Sequence, residues 1–342
     1  ERLQDRRPGE GAQFPPCHTI SFLGMLETQS WYAVFAPFLL SFVNNVMALS
    51  LSKDDRQAWN SKGIEWSDPP PPSYPMEDAV PSFLALDDGT DENDERQLAY
   101  HYSPGKSSPG VLFCNGFQSS MQGTKAVAME TYCRQRGVPF CRFDYRGHGD
   151  HSTEEFSHCT LSDWIQDAST ILETVMKDHD KVVVMGSSMG GWIACHLALQ
   201  HPHKVVGLLG IAAAPDFLED IFQNLSQEQQ DQWKREGFLS LPTEYNPEPY
   251  HISWKLVEDA RQKWNLLSGP NRKIIPIRCR VHLVHGKVDQ DIPWTKSLDL
   301  MDRLETKDVT LTIIKDGDHR LSRPQDIERI QRALGELLQN AF

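Results

Sequence analysis

The chain is short of basic charge. Its 34 Lys and Arg stand against 47 Asp and Glu, a formal net charge of −13 at pH 7. Nucleic-acid binding needs a clustered basic face to displace counterions from phosphate, so that class is excluded. The same deficit leaves no basic patch for anionic lipid. Cysteine is sparse and scattered, with seven residues in 342: Cys17, Cys114, Cys133, Cys141, Cys159, Cys195 and Cys279. No C-x-x-C pair and no Cys/His ligand spacing occurs, so the expectation is buried, reduced thiols and no metal. There is no P-loop, no dinucleotide glycine fingerprint and no internal repeat. No cofactor is expected.

The front of the chain lacks the marks of a folded domain. Trp31 to Leu51 contains no charged residue and is long enough to span a bilayer. Pro37 and the pair Asn44-Asn45 weaken it as a spanning helix, so a membrane anchor is the weaker reading and a docked or misplaced amphipathic segment the favoured one. Pro69 to Pro72 is a run of four prolines, and Asp87 to Arg96 is dominated by acids. Both read as solvated linker. Residues 1–96 are therefore expected to form an N-terminal extension, and residues 97–342 the main domain.

From Leu98 onward, short apolar strands alternate with helices. The strands expected are Leu98–Ser103, Gly110–Asn115, Pro139–Tyr145, Lys181–Gly186, Val205–Ala212, Cys279–His285 and Val309–Lys315. Helices start near Gly123, Thr160, Met189, Trp294 and Pro324. Near-continuous apolar strands between helices imply an α/β fold, a mostly parallel central sheet with helices on both faces. The stretch from the fifth of these strands to the sixth is too long for one crossover helix. It implies a helical lid insertion at about 216–277, set over the carboxyl ends of the strands.

One pentapeptide focuses the chemistry. Gly186-Ser187-Ser188-Met189-Gly190 follows the apolar run Lys181-Val182-Val183-Val184-Met185 and leads into Gly191-Trp192-Ile193. Strand, Gly-x-Ser-x-Gly, helix is the context of the nucleophile elbow in the α/β-hydrolase fold. A serine hydroxyl is a poor nucleophile at neutral pH and needs a base that is oriented by a carboxylate. In that fold the order is Ser, acid, His. Val281-His282-Leu283-Val284-His285 ends in Gly286-Lys287-Val288-Asp289-Gln290-Asp291-Ile292-Pro293, which nominates Asp289 as the acid, with Asp291 its competitor. The last strand runs into Asp316-Gly317-Asp318-His319, which nominates His319 as the base. Asp316 and Asp318 read as turn residues and His285 as structural. His148 lies in a glycine-containing loop, where a turn role is favoured. The oxyanion hole requires two backbone N–H donors. The candidates are Met189, after the nucleophile, and Phe117, in the loop Asn115-Gly116-Phe117 after an early strand. In Asp144-Tyr145-Arg146-Gly147 the acid and the arginine are expected to pair and hold a turn. The insertion is rich in aromatic and apolar residues, with Phe217, Ile221 and Leu225 at helical spacing. That suits an uncharged ester or thioester more than a phosphate.

Five segments carry a family resemblance: Gly123-Thr124-Lys125-Ala126, Arg142-Phe143-Asp144-Tyr145, Gly186 through Trp192, Lys204 through Ala212, and Ile292-Pro293-Trp294 together with Asp318-His319-Arg320. The chain resembles the mitochondrial palmitoyl-protein thioesterases of the α/β-hydrolase-domain group, also known as mycophenolic acid acyl-glucuronide esterases. The resemblance runs from about Leu98 to the C-terminus. It implies hydrolysis of S-palmitoyl thioesters on proteins and of acyl-glucuronide esters, through Ser188, Asp289 and His319. It also implies a mitochondrial location, although residues 1 to about 80 lack the composition of a presequence. The same three residues would serve a lipase-like or carbon–carbon bond hydrolase. A hydrolase-fold binding protein without activity is the reading from a different class.

Overall fold

The computed structural model of the chain describes residues 80–86, 96–241, 243, 249–268 and 273–339. The apolar segment 31–51, the four prolines and Cys17 lie outside the described residues. The main sheet contains β1 (Ser82–Ala85), β2 (Gln97–Ser103), β3 (Gly110–Cys114), β4 (Phe140–Phe143), β5 (Val182–Ser187), β6 (Val205–Ile211), β9 (Arg280–Gly286) and β10 (Val309–Ile314). Its order is β1-β2-β4-β3-β5-β6-β9-β10. The β1–β2 and β2–β4 pairs are antiparallel. All pairs from β4 to β10 are parallel. β1 falls within the stretch expected to be an extension. It is only four residues long and mostly exposed, so it carries little hydrophobic signal.

Every residue of β3 and β5 is buried. Strands covered on both faces have no solvent side to alternate with, hence the Val-rich run at Val182–Val184. One face of the sheet packs against α1 (Thr124–Arg134) and α8 (Pro324–Gln339). There Met129, Ile330 and Leu334 meet Val111, Val183 and Leu209 in one cluster. Further helices are α2 (Leu161–Thr174) and α3 (Met189–Gln200). Thr160 caps α2, accepting from the Asp163 amide while the Asp163 carboxylate reaches back, the reciprocal box that satisfies two orphan donors. Met189 through Ala198 of α3 are all buried. A helix apolar on every side sits at the centre of a domain.

From β3 the chain moves outward to β4, then crosses back to β5 on the other side of β3. The strand order thus reverses between β3 and β5, and it is at the carboxyl ends of the strands at such a switch point that ligands of open α/β sheets bind.

The insertion holds α4 (Phe217–Asn224), α5 (Gln227–Glu236), β7 (Phe238–Leu241), β8 (Tyr250–Ser253) and α6 (Trp254–Lys263). The remaining helix, α7 (Thr295–Arg303), follows β9. The insertion is thus not purely helical, because β7 and β8 form an antiparallel ribbon. On α4 the deeply buried positions are Leu218 and Phe222 rather than the spaced line from Phe217 to Ile221. The helix ends at Asn224, one residue before Leu225, which is itself buried.

Candidate active site

Ser188 stands between β5 and α3 with φ 55° and ψ −121°. A non-glycine residue with positive φ is strained, and such strain concentrates at functional positions. The neighbours allow it by having no side chain. A Cβ on Gly186 would collide with the Gly190 carbonyl, and one on Gly190 with the carbonyls of Cys114 and Asn115. Strand β5, helix α3 and the loop after β3 are therefore pressed together at this corner. The Ser188 amide donates to Ile211 O at 2.9 Å, which ties the elbow to β6.

The structure brings Ser188, Asp289 and His319 together from three loops. Ser188 Oγ lies 3.0 Å from His319 Nε2, and His319 Nδ1 lies 2.8 Å from Asp289 Oδ2. A carboxylate only accepts, so Nδ1 carries the ring proton and Nε2 is left to accept from the serine hydroxyl. Asp289 Oδ1 accepts from the amides of Asp291 (2.9 Å) and Ile292 (2.8 Å). Burial pushes the Asp289 carboxyl upward, but hydrogen bonds from His285 and His319 outweigh it and hold the group at about 2. Asp291 is exposed and lends its amide to Asp289. Asp316 pairs with Arg323 (2.8 Å), and Asp318 Oδ1 accepts from the Leu321 amide.

Asn115, Gly116 and Phe117 lie beside the nucleophile. A Cβ on Gly116 would sit 3.3 Å from Ser187 O and 3.5 Å from the Ser188 Cβ. The loop is pinned on both sides. Asn115 Nδ2 donates to Phe143 O at 2.5 Å. The Gln118 amide donates to His148 Nε2 at 3.2 Å, and Gln118 has φ 50°. His148 is buried, and desolvation pushes it down to about 4, so its Nε2 is a lone pair at neutral pH. This pinning role of His148 was not legible in the sequence, because Gln118 is far away along the chain.

Arg146 and Asp144 do not pair, contrary to the sequence expectation. Arg146 binds Asp167 (2.6 Å) and reaches Asp163 (3.4 Å), both on α2. Asp144 Oδ1 instead accepts from the Met121 amide at 2.5 Å. The carboxylates of α2 come up beneath the arginine, and α2 is placed only by tertiary packing. Lys125 on α1 donates to Arg320 O at 2.5 Å and so tethers the His319 loop.

Aromatic rings line the region beside Phe117. Its ring lies 5.0 Å from Phe156, 6.0 Å from Trp164, and 5.6 Å from both Phe217 and Tyr250, measured between centroids. Phe217 and Tyr250 belong to the insertion, so the insertion meets the oxyanion loop through edge-to-face contacts. Among the described residues, only Asp289, Asp291 and His319 bring three metal-type ligand atoms within 4.8 Å of one another. Of these, His319 and Asp289 are already joined by a hydrogen bond. No helix among the described residues is long and apolar enough to cross a membrane. The described cysteines are free thiols, buried except for the half-buried Cys279.

Comparison with known proteins identifies the family. A family model described as serine aminopeptidase, S33, matches residues 105–234, which include the elbow. The mitochondrial palmitoyl-protein thioesterase ABHD10 of Mus musculus is 38% identical over 242 residues, covering 70% of this chain and 78% of that protein. The solved structure of mouse alpha/beta hydrolase domain-containing protein 10 superposes with a TM-score of 0.69 at 35% identity, over 77% of this chain and all (100%) of that one. A putative hydrolase from Agrobacterium vitis gives 0.68 at 34% identity, over 76% of this chain and 100% of its own. The chain belongs to the ABHD10 palmitoyl-protein thioesterase family of α/β hydrolases.

Proposed function

We propose that Ser188, His319 and Asp289 are a catalytic triad, and that the chain hydrolyses S-palmitoyl thioesters on proteins. The observation that carries this reading is the unbroken hydrogen-bond chain from Ser188 Oγ through His319 to Asp289 Oδ2, at 3.0 and 2.8 Å. His319 Nε2 takes the hydroxyl proton as Ser188 Oγ attacks the thioester carbonyl. Asp289 stays ionised and holds the imidazolium that forms. The carbonyl oxygen becomes an oxyanion, received by the backbone N–H groups of Met189 and Phe117, each worth about 3 kcal/mol in the transition state. The tetrahedral intermediate collapses, and the cysteine thiolate leaves with the proton from His319. Water, deprotonated by His319, then cleaves the acyl-enzyme and releases the fatty acid. Side chains and backbone amides suffice for every step.

The rings around Phe117 support an apolar acyl group beside the nucleophile. Acyl-glucuronide esters would pass through the same acyl-enzyme, and we carry them as a second substrate class. The relatives are named mitochondrial, and we infer the same location for this chain. A fluorophosphonate probe should label the wild-type protein and not Ser188→Ala; equal labelling of both would sink the triad. A panel of palmitoyl-thioester, acyl-glucuronide and glycerol-ester substrates decides the class, and a preference for glycerol esters would replace the thioesterase reading.

A further inference from the structure

His285 closes the inner end of β9 and is fully buried. Its Nε2 lies 3.0 Å from Asp289 Oδ2 and 3.0 Å from the Ile292 carbonyl. Both are acceptors without a hydrogen, so Nε2 carries the proton and is shared between them. On the other side of the ring, Nδ1 lies 2.7 Å from Ser297 Oγ on α7. A neutral imidazole protonated on Nε2 accepts there, so the serine hydroxyl donates. Asp289 Oδ2 is also the oxygen that receives His319 Nδ1. Two imidazoles therefore share one carboxylate oxygen, while backbone amides occupy the other.

We propose that His285, oriented by Ser297, is a positioning residue of the triad: its Nε2–H fixes Asp289 Oδ2 in the direction of His319 and draws on that oxygen's electron density. The proposal rests on the triad reading above. It has two consequences. Asp289 cannot rotate away, because four donors hold its two oxygens. The bond from Asp289 to His319 is also weaker than an undivided carboxylate would make it, because that oxygen's electron density is shared between two donors. The two acceptors at Nε2 fix the tautomer, and Ser297 Oγ, bound to Nδ1, holds the plane of the ring. Without its hydroxyl, the ring loses that anchor and aims its N–H at the carboxylate less well.

Other charged or titratable groups also face His319. Asp289 and the exposed Asp291 come from the loop after β9. Lys125 of α1 reaches its loop, and Asp318 and Arg320 flank it in sequence. None of these is altered in the variants below. The experiment measures kcat and KM across pH for wild type, His285→Leu, His285→Gln and Ser297→Ala, with active sites counted by the fluorophosphonate probe. His285→Leu should lose on the order of tenfold in kcat, through a misplaced acid, with KM nearly unchanged. The acid limb of its kcat/KM profile should move up by about half a pH unit, since His319 then has Oδ2 to itself. His285→Gln keeps an N–H donor and should recover most of both effects. Ser297→Ala should show a smaller loss in the same direction.

Equal losses in the Leu and Gln variants with an unmoved limb would mean packing alone and would overturn the proposal. If His285→Leu does not fold, Ser297→Ala decides: wild-type kcat with an unmoved limb overturns it. A wild-type protein that the probe does not label removes the triad, and this inference with it. A labelled wild type with indifferent His285 and Ser297 variants removes this inference alone.

Discussion

Ser188, Asp289 and His319 each lie in the loop that directly follows a strand of the main sheet, whereas the insertion is held at its stems and against α3 and α7 by side chains. At its near stem, buried Asp216 adopts φ 59° and accepts from the amides of Leu266, Leu267 and Ser268 at its far stem. The Trp264 carbonyl accepts from Trp192 Nε1 (3.0 Å) and His196 Nε2 (2.8 Å), both on α3. Arg303 of α7 donates to Leu267 O (2.6 Å), and Lys296 of α7 pairs with Asp220. The floor of the site is thus positioned by backbone geometry and the insertion by a few buried polar staples. Backbone ladders tolerate change along a strand, but each staple depends on one residue.

The largest test of this contrast lies on the floor. Asp289→Asn should lower kcat by about 10³- to 10⁴-fold by disturbing the His319 tautomer, whereas the exposed Asp291→Asn should stay within about threefold; the opposite ranking would reassign the acid. Since Asp289 is held at about 2, its carboxylate is fully charged above about pH 4. Its contribution to stability is therefore present above its unfolded value and is lost as pH falls through about 2. An acid limb of activity above pH 5 therefore does not belong to Asp289.

Next comes the insertion. Asp216→Ala strands three half-buried amides and should cost about 2–4 kcal/mol in unfolding experiments. Amide exchange should quicken first in α4 and α6, and uniform exchange across the sheet would show that the staple is not local. A third test sits between the two regions. His148 is pushed down to about 4 from the ordinary value of 6.5 by burial. The unfolded chain binds its proton first, so stability is retained above pH 6.5 and lost as pH falls toward 4. His148→Gln keeps an acceptor for Gln118 and does not titrate, so wild type should lose about 2 kcal/mol more than the variant over that window. Asp144 and Asp167, both pushed up to about 6 by burial, act with the opposite sign. They are common to both proteins and cancel. Parallel pH curves would remove His148 as the buried neutral acceptor. The smallest effect is expected at the aromatic wall. Phe217→Ala should raise KM for long acyl thioesters about fivefold, with little change for short ones, and an equal change for both would take Phe217 out of the acyl path.

Much of the architecture was legible for local reasons. The Val-rich run before Gly186 reads as a buried strand whatever surrounds it, and the observed strand ends fall within a residue or two of expectation. Thr160 with Asp163, and Pro324 at a helix start, are caps that need no distant partner. The short β1 and the β7–β8 ribbon were not legible, since four-residue strands carry too little periodicity. Arg146 was paired with its sequence neighbour Asp144, but its partner Asp167 lies across the α2 interface. His285 looked like an ordinary strand residue because nothing adjacent in sequence shows that Ser297 and Asp289 flank its ring.

By itself, the sequence determined what strand ends and tight turns require. It set a glycine-flanked serine that no other backbone would accommodate at that corner, a carboxylate and a histidine in the loops of later strands, and the order of the elements. The tertiary structure alone decided which of those groups touch and what their chemistry becomes. Hydrogen-bond reach is about 3 Å, and side chains from loops far apart along the chain meet at that distance only after the sheet has closed. The donors met there then separate chemically identical buried groups: two imidazoles and two amides hold Asp289 ionised, while Asp144, buried beside a single amide donor, is driven toward its neutral form.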